Sequence, residues 1–513
     1  MGYLLCTAVL VVTFGRLGDM LGRVRMYNVG FAVFTIMSIA LSLTPGQGSS
    51  AALYLVVVRV FQGIGGALLM ANSTAILFDV FPPNQRGLAM GINSIAAISG
   101  QFIGLVVGGL LADWNWRSVF LISVPFGIFG TIWAYLKLQD IGVRSKFSLD
   151  WWGNLTFALG LVAILIGITY GIQPYKDHSM GWTSPQVIAE LILGIMLLVA
   201  FIMIENRVKN PMFNLQLFRI RAFTAGNLAN LLSSIGRGGL QFMLIIWLQG
   251  IWLPLHGYSF ESTPLWAGIY MVPLTVGFLI IGPVSGHLSD RFGAKEFATG
   301  GMLISALSFG LLMLLHANFY YWAFAGLLLL NGLGNGLFAA PNSTAIMNAV
   351  SPNQRGQASG MRATFMNAAM VLSIGVFFSL MIAALSSALP HTIQNGLVHQ
   401  RIPVLVAEKV AGTPPVASLF AAFLGYNPMA QLIPAHVLRM LPDSNVAYLT
   451  GKTFFPDLIS NPFIHGLRFA FSLSFILFII AAIASWMQGE RYVHGDNLEI
   501  IKDEADAIDE RFM

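Results

Sequence analysis

Apolar runs of about twenty residues follow one another along nearly the whole chain, each able to cross a hydrocarbon core of about 30 Å as a helix. The pattern predicts thirteen spans, at 2–17, 27–44, 51–79, 86–112, 117–138, 150–171, 185–204, 221–249, 264–285, 297–315, 319–348, 357–386 and 464–487. The runs lack the two-residue alternation of a membrane barrel, and only helices or closed barrels hide their backbone in lipid. The expected fold class is therefore all-α: a polytopic membrane helical bundle. Two stretches break the pattern. Residues 387–463 are interrupted by prolines and aromatics and read as a long segment outside the membrane, in which 416–424 suits a short helix lying on the membrane surface. Residues 488–513 form an acidic, amphipathic tail, with Leu498, Ile501 and Ile508 set against Glu499, Asp503 and Glu504.

Composition agrees with a lipid-facing chain: 10% of residues are charged and 56% apolar. The formal charge of +5 is spread over short loops and accompanies no recognition helix, which argues against nucleic acid as a partner. The lone Cys6 lies in an apolar run, excludes an intramolecular disulfide and reads as a small packing residue. Basic residues mark one side of the membrane. Arg23 and Arg25, Arg86, Lys137 with Arg144 and Lys146, Arg207 with Lys209 and Arg219, Arg291 with Lys295, and Arg355 fall on alternate loops, which the positive-inside rule makes cytoplasmic. The C-terminus is then cytoplasmic and Met1 external. A chain that begins inside an apolar run resembles neither a signal peptide nor an ordinary first span.

The polar punctuation repeats. Asn72-Ser73-Thr74-Ala75-Ile76, then Arg86-Gly87 and Gly91, return as Asn342-Ser343-Thr344-Ala345-Ile346, Arg355-Gly356 and Gly360. Gly15, Asp19, Gly22 and Arg23 likewise return as Gly286, Asp290, Gly293 and Lys295. Eight spans separate the members of each pair, so both copies lie on one face. Two related halves follow, with the division 1–140, an intercalated pair of helices in 141–210, a second bundle in 211–386, the external segment 387–463, a last span at 464–487 and the tail 488–513. Related halves enclosing a central site are a common transporter build.

Gly15-x-x-x-Asp19-x-x-Gly22-Arg23-x-Arg25, Arg59-x-x-Gln62-Gly63-x-Gly65 and the glycines Gly91, Gly100, Gly104, Gly108 and Gly109 occur in that order on successive spans. With the second copy at Gly286, Asp290 and Gly293, they closely resemble the major facilitator superfamily over nearly the whole chain. The two spans between the halves, and Trp114-x-Trp116-Arg117, are similar to its fourteen-span drug:proton antiporter branch, with the first span apparently missing.

That resemblance implies a conformational latch at Gly15, Asp19, Gly22, Arg23, Arg25, Gly286, Asp290 and Gly293, with Asp19 lying near the start of the penultimate helix around Gly356–Arg362. It implies a proton-coupling role for Arg59, a charge within an apolar helix. The acid that faces this arginine in the family belongs to the helix expected before Met1, and no Asp or Glu lies deep in the first, third or fourth span. Gly100, Gly104 and Gly108, four residues apart, suit close helix packing. Leu105 stands where antiporters of the family commonly carry proline. Gln62, Asn72, Asn93, Gln101, Asn227, Asn230, Arg237, Gln241, Asn331, Asn335 and Asn342 are the expected cavity residues, each with interhelical bonding as its plainer role. Arg237 and Arg362 are buried charges that Glu190 alone is placed to answer, so the cavity is expected to favour neutral or anionic amphiphiles over cationic dyes.

The function these features imply is export of amphipathic small molecules or drugs by proton antiport, in the bacterial cytoplasmic membrane, with the bilayer, the cargo and protons as partners and a monomer as the working unit. A dedicated lipid or metabolite exporter, or a truncated non-transporting remnant, are the alternatives. The chain carries no catalytic triad, metal-spaced His/Cys set or phosphate loop, so neither an enzyme nor a cofactor site is expected.

Overall fold

A computed structural model describes residues 2–46, 48–82, 85–140, 150–176, 178–208, 211, 213–351, 354–424 and 426–489; within these, the side chains of 98, 101, 102, 105, 109, 112–114 and 423 are not described. The cavity residue Gln101 and the tail 490–513 therefore lie outside the described set. The helices are α1 (Gly2–Leu21), α2 (Arg23–Ser42), α3 (Ser49–Val80), α4 (Arg86–Trp114), α5 (Ser123–Lys137), α6 (Trp151–Gly171), α7 (Pro185–Glu205), α8 (Arg221–Trp247), α9 (Leu253–Leu255), α10 (Thr263–Tyr270), α11 (Val272–Phe292), α12 (Lys295–Leu312), α13 (Tyr321–Asn348), α14 (Arg355–His399), α15 (Val404–Ala411), α16 (Pro415–Leu424), α17 (Met429–Leu432), α18 (Ala435–Leu438), α19 (Asp443–Leu449) and α20 (Phe454–Trp486). Among the described residues, 11 helical segments are long and apolar enough to cross a bilayer. Helices α4 and α12 stand at the other two expected positions.

The sequence repeat reappears as repeated packing. Gly30 of α2 and Gly65 of α3 bring those helices together so closely that a Cβ on Gly65 would stand 2.6 Å from the Phe34 nitrogen. Their twins Gly301 of α12 and Gly334 of α13 do the same, with a Cβ on Gly301 reaching 2.5 Å from the Gly334 carbonyl oxygen. Gly63 admits Cys6 and Tyr3 of α1 just as Gly332 admits Leu274 of α11. In lipid, helices gain little from hydrophobic exclusion, and small residues that allow backbone contact supply the association. Gly22 and Gly293 are twins of another kind. They turn α1 into α2 and α11 into α12 with φ of 108° and 95°, in the left-handed region that side chains disfavour.

Helices α6 and α7 lie between the halves in sequence and lean on α1 and α14 in space. Phe157 of α6, Phe201 of α7, Phe213 and Phe365 of α14 form a chain of ring contacts 5.1–6.0 Å apart. Thr13 of α1 donates to Asn154 of α6, and the Trp182 indole N–H donates to Ser379 of α14 at 3.2 Å.

The long helices differ from expectation. Helix α14 does not end near 386, because Leu385, Leu389, Ile393 and Leu397 continue one buried stripe to its last turn. At 45 residues it is about 67 Å long, far more than a bilayer core. Helix α20 likewise starts ten residues before 464, on buried Phe454, Phe455 and Ile459. The two carry a helical cap of α15 to α19 at the end of the bundle remote from Asp19. Helix α16 is not merely a surface helix: Val416, Leu419, Ala421 and Ala422 are buried, and Ala422 abuts Gly250 in a π-helical turn, Leu248–Trp252, that continues α8.

The packing expected of the α4 glycines is not met. No described heavy atom lies within 4 Å of where a Cβ would stand on Gly100 or Gly104, and Gly108 has only Val119 at 3.7 Å. Four-residue spacing creates a smooth face without requiring that a neighbour fill it. Gly65→Ala and Gly301→Ala should thus each lower stability by about 1–3 kcal/mol through forced helix separation. Gly100→Ala and Gly104→Ala should raise it slightly, since alanine gains about 0.5–1 kcal/mol over glycine inside a helix. Thermal unfolding of the purified chain in detergent distinguishes the two pairs.

Candidate functional site

The N-terminal turns of α4 and α14 leave backbone N–H groups without helical acceptors. Each turn receives a carboxylate from the other half. Asp19, at the end of α1, accepts from the Gln357 N–H of α14 at 3.0 Å. Asp290, at the end of α11, accepts from the Gly87 and Leu88 N–H groups of α4 at 2.9 and 3.2 Å. A carboxylate at this end of a helix is favoured by the macrodipole as well as by the hydrogen bonds. Glycine makes the approach possible: a Cβ on Gly15 would stand 2.6 Å from the Gly356 carbonyl oxygen, and one on Gly356 would overlap Asp19. Gly286 and Gly87 exclude a Cβ from each other in the same way. Thr364 of α14 adds a hydroxyl bond to the Ala8 carbonyl at 3.1 Å.

The arginines that precede these turns also cross. Arg86 donates from Nη1 to Asn348 Oδ1 at 3.0 Å, and Arg355 from Nη1 to the Phe78 carbonyl at 3.3 Å. Positions 78 and 348 are themselves twins in the repeat, so each arginine reaches the matching position of the opposite half. Ion pairs reinforce the Asp19 contact. Arg23, 2% exposed, bonds Asp19 through Nε and Nη2 at 2.9 and 2.8 Å and Asp79 through Nη1 at 2.6 Å. At the spacing that pairs Asp19 with Asp290, position 23 falls on Ala294, the basic residue of the second copy standing one place later at Lys295, and the twin of Asp79 is Ala349. Arg25 is exposed at the same face.

Farther into the bundle, Arg59 donates to Gln62 Oε1 at 2.9 Å and lies over the Phe120 ring at 4.8 Å, while Gln62 donates to Ser38 at 2.8 Å. Three of the expected cavity amides bond chiefly within the bundle. Asn72 and Asn227 donate to carbonyls one turn back, Asn342 donates to the Gly226 carbonyl, and Gln488 donates to Asn342. Asn230 is buried and Asn93 partly so.

Arg237, Gln241 and Asn331 meet with Leu240, Leu244, Leu274, Phe309, Leu312 and Leu328 around a narrow cleft between α8, α11, α12 and α13, with about 20 Å³ of space open to a water-sized sphere. Asn335 stands behind it, donating to Asn331 at 2.9 Å and accepting from Arg237 at 3.5 Å. Glu190 joins neither arginine. It accepts from Gln186 on its own helix at 2.9 Å, and Arg362 donates instead to Ser343 at 3.1 Å.

Two buried acids escaped the sequence reading. Asp150 caps α6 through the Gly153 N–H at 2.9 Å, and Glu205 accepts from the Phe213 N–H at 3.2 Å. Both lie against Gly153. They are the first and last residues around apolar runs, where an acid normally reads as a solvated loop charge; the fold of the α6–α7 pair onto α1 is what buries them.

The family model of the Major Facilitator Superfamily matches residues 1–374 and again 226–487. The chain is 29% identical to the riboflavin transporter RibZ of Clostridioides difficile over 383 residues, covering 74% of this chain and 78% of that protein. It is 28% identical to the multidrug transporter protein MdtP of Bacillus subtilis, covering 93% and 84%, and 28% identical to the tetracenomycin C resistance and export protein of Streptomyces glaucescens, covering 94% and 82%. Among solved structures, the proton:xylose symporter XylE matches with a TM-score of 0.50 at 14% identity, over 84% of this chain and 85% of that one, which is a likeness of fold. With the family model matching both halves, the chain belongs to the Major Facilitator Superfamily: it is a multi-pass membrane transporter of small molecules and not an enzyme.

Proposed function

We propose that this chain exports amphipathic small molecules or drugs across the bacterial cytoplasmic membrane by alternating access, driven by proton antiport. The observation that carries the reading is the pair of crossed carboxylate contacts, Asp19 on Gln357 and Asp290 on Gly87 and Leu88. Set by the positive-inside rule on the cytoplasmic face, they seal that face in this conformation and must open for cargo to enter. The export and multidrug names of MdtP and the tetracenomycin C protein support drug-like cargo. Arg59 is the candidate for proton coupling through its bond to Gln62. A dedicated lipid or metabolite exporter is the second reading, favoured by the helical cap carried on α14 and α20.

Inverted vesicles test the function. An imposed inside-acid gradient should drive uptake of 8-anilinonaphthalene-1-sulfonate more strongly than of the cation rhodamine 6G, and collapsing the gradient should abolish it. Uptake indifferent to the gradient would remove proton antiport, and a preference for the cation would reverse the charge assignment.

The latch has its own test. Asp19→Asn removes the charge facing both Arg23 and the α14 terminus, and it should slow turnover on the order of tenfold while changing equilibrium substrate affinity less than about twofold. Unchanged turnover in proteoliposomes would show that the contact only anchors a loop.

A further inference from the structure

Gln357 bonds in two directions. Its backbone N–H donates to Asp19 at 3.0 Å, and its side-chain Nε2 donates at 2.9 Å to the carbonyl of Pro211, in the segment that joins α7 to α8. The first bond has a counterpart in the other half, where the Leu88 N–H donates to Asp290. The second has none from that position. At the offset that pairs Arg86 with Arg355, the twin of Gln357 is Leu88, whose side chain carries no donor. The amide thus stands at the helix terminus that the segment after α7 reaches.

That segment is itself anchored on both halves. Two residues after Pro211, the Phe213 N–H donates to Glu205 at the end of α7 at 3.2 Å. The Phe213 ring meets Phe157 of α6 at 5.2 Å, Phe201 of α7 at 5.5 Å and Phe365 of α14 at 6.0 Å. Phe365 follows Gln357 by eight residues, on the same face of α14. On the other side, α6 packs against α1 as well as α14, and Thr13 of α1 donates to Asn154. Arg16, on α1 beside the latch, lies within electrostatic reach of both Asp19 and Glu205. The inserted pair therefore grips the helix that carries the acid and the helix that receives it. If α14 moves away from Asp19, the pair cannot follow α14 without loosening from α1, so one of its two attachments must give. A buried carbonyl that loses its amide partner costs more than the bond alone, because the group is left desolvated.

We propose that the inserted pair α6–α7 is a strap across the cytoplasmic closure, and that Gln357 is the positioning residue through which the strap holds the α14 terminus against Asp19. The bond from Gln357 to Pro211 forms when the inner side is shut and breaks when it opens. The strap rests on the reading of the Asp19 contact as a latch that opens during transport. It gives the two helices between the halves a part in gating.

The test uses the full chain in nanodiscs, with Cys6→Ala and spin labels on Lys137→Cys and Glu296→Cys, two exposed positions in opposite halves. Double electron–electron resonance then reads the ratio of open to closed inner sides. Gln357→Met keeps the side-chain length and the backbone N–H for Asp19 but removes the amide, and it should raise that ratio about fivefold or more. Phe213→Leu loosens the same segment and should raise it by less. In the double variant the rise should fall short of the product of the single effects, because both changes act through one contact. An unchanged ratio in Gln357→Met, or single effects that multiply, overturns the strap. Asp19→Asn in the same labelled chain separates the two readings. Opening by Asp19→Asn and not by Gln357→Met leaves the latch and removes the strap, and the opposite pattern removes the latch while α14 remains strapped to the inserted pair. No change in either variant removes both.

Discussion

A helix that begins at the edge of a membrane carries backbone amides that neither lipid nor its own carbonyls can answer. In this chain that deficit holds the halves together. The first turns of α4 and α14 receive Asp290 and Asp19 of the opposite bundle. The glycines at 15, 87, 286 and 356 follow from this, since a carboxylate reaches a helix terminus only if the backbones touch. The crossing of Arg86 and Arg355 follows as well, because the same closure brings each guanidinium to the end of a helix in the other half.

The closure repeats its geometry in the two halves. Arg23 ties Asp19 to Asp79 within the first half, so the carboxylate on α14 is held in place by a buried cation. A buried pair is rigidifying when complete and costly when broken.

Much of this was legible in the sequence because it depends on residues that repeat at fixed spacing. Asp19 near the start of α14, the twin glycine turns and the helical class are consequences of Gly, Asp and apolar periodicity. What was not legible depends on which surface another helix happens to cover. Gly100 and Gly104 have the spacing of a packing face and, among the described residues, no neighbour against it. Glu190 has the position of a buried counter-ion and bonds only its own helix. Asp150 and Glu205 look like loop charges and are buried because the α6–α7 pair docks on α1. The run past 386 was misjudged for a related reason: Pro390 reads as a break, yet the i, i+4 stripe from Leu385 to Leu397 carries the helix on.

That continuity has a mechanical meaning. Helix α14 is a single rod of about 67 Å, clasped by Asp19 at one tip and bearing the cap at the other. A tilt of about ten degrees about its clasped tip sweeps the opposite tip through about 12 Å. Any pivot of the rod about its Asp19 end therefore moves the cap by a distance several times the length of a hydrogen bond.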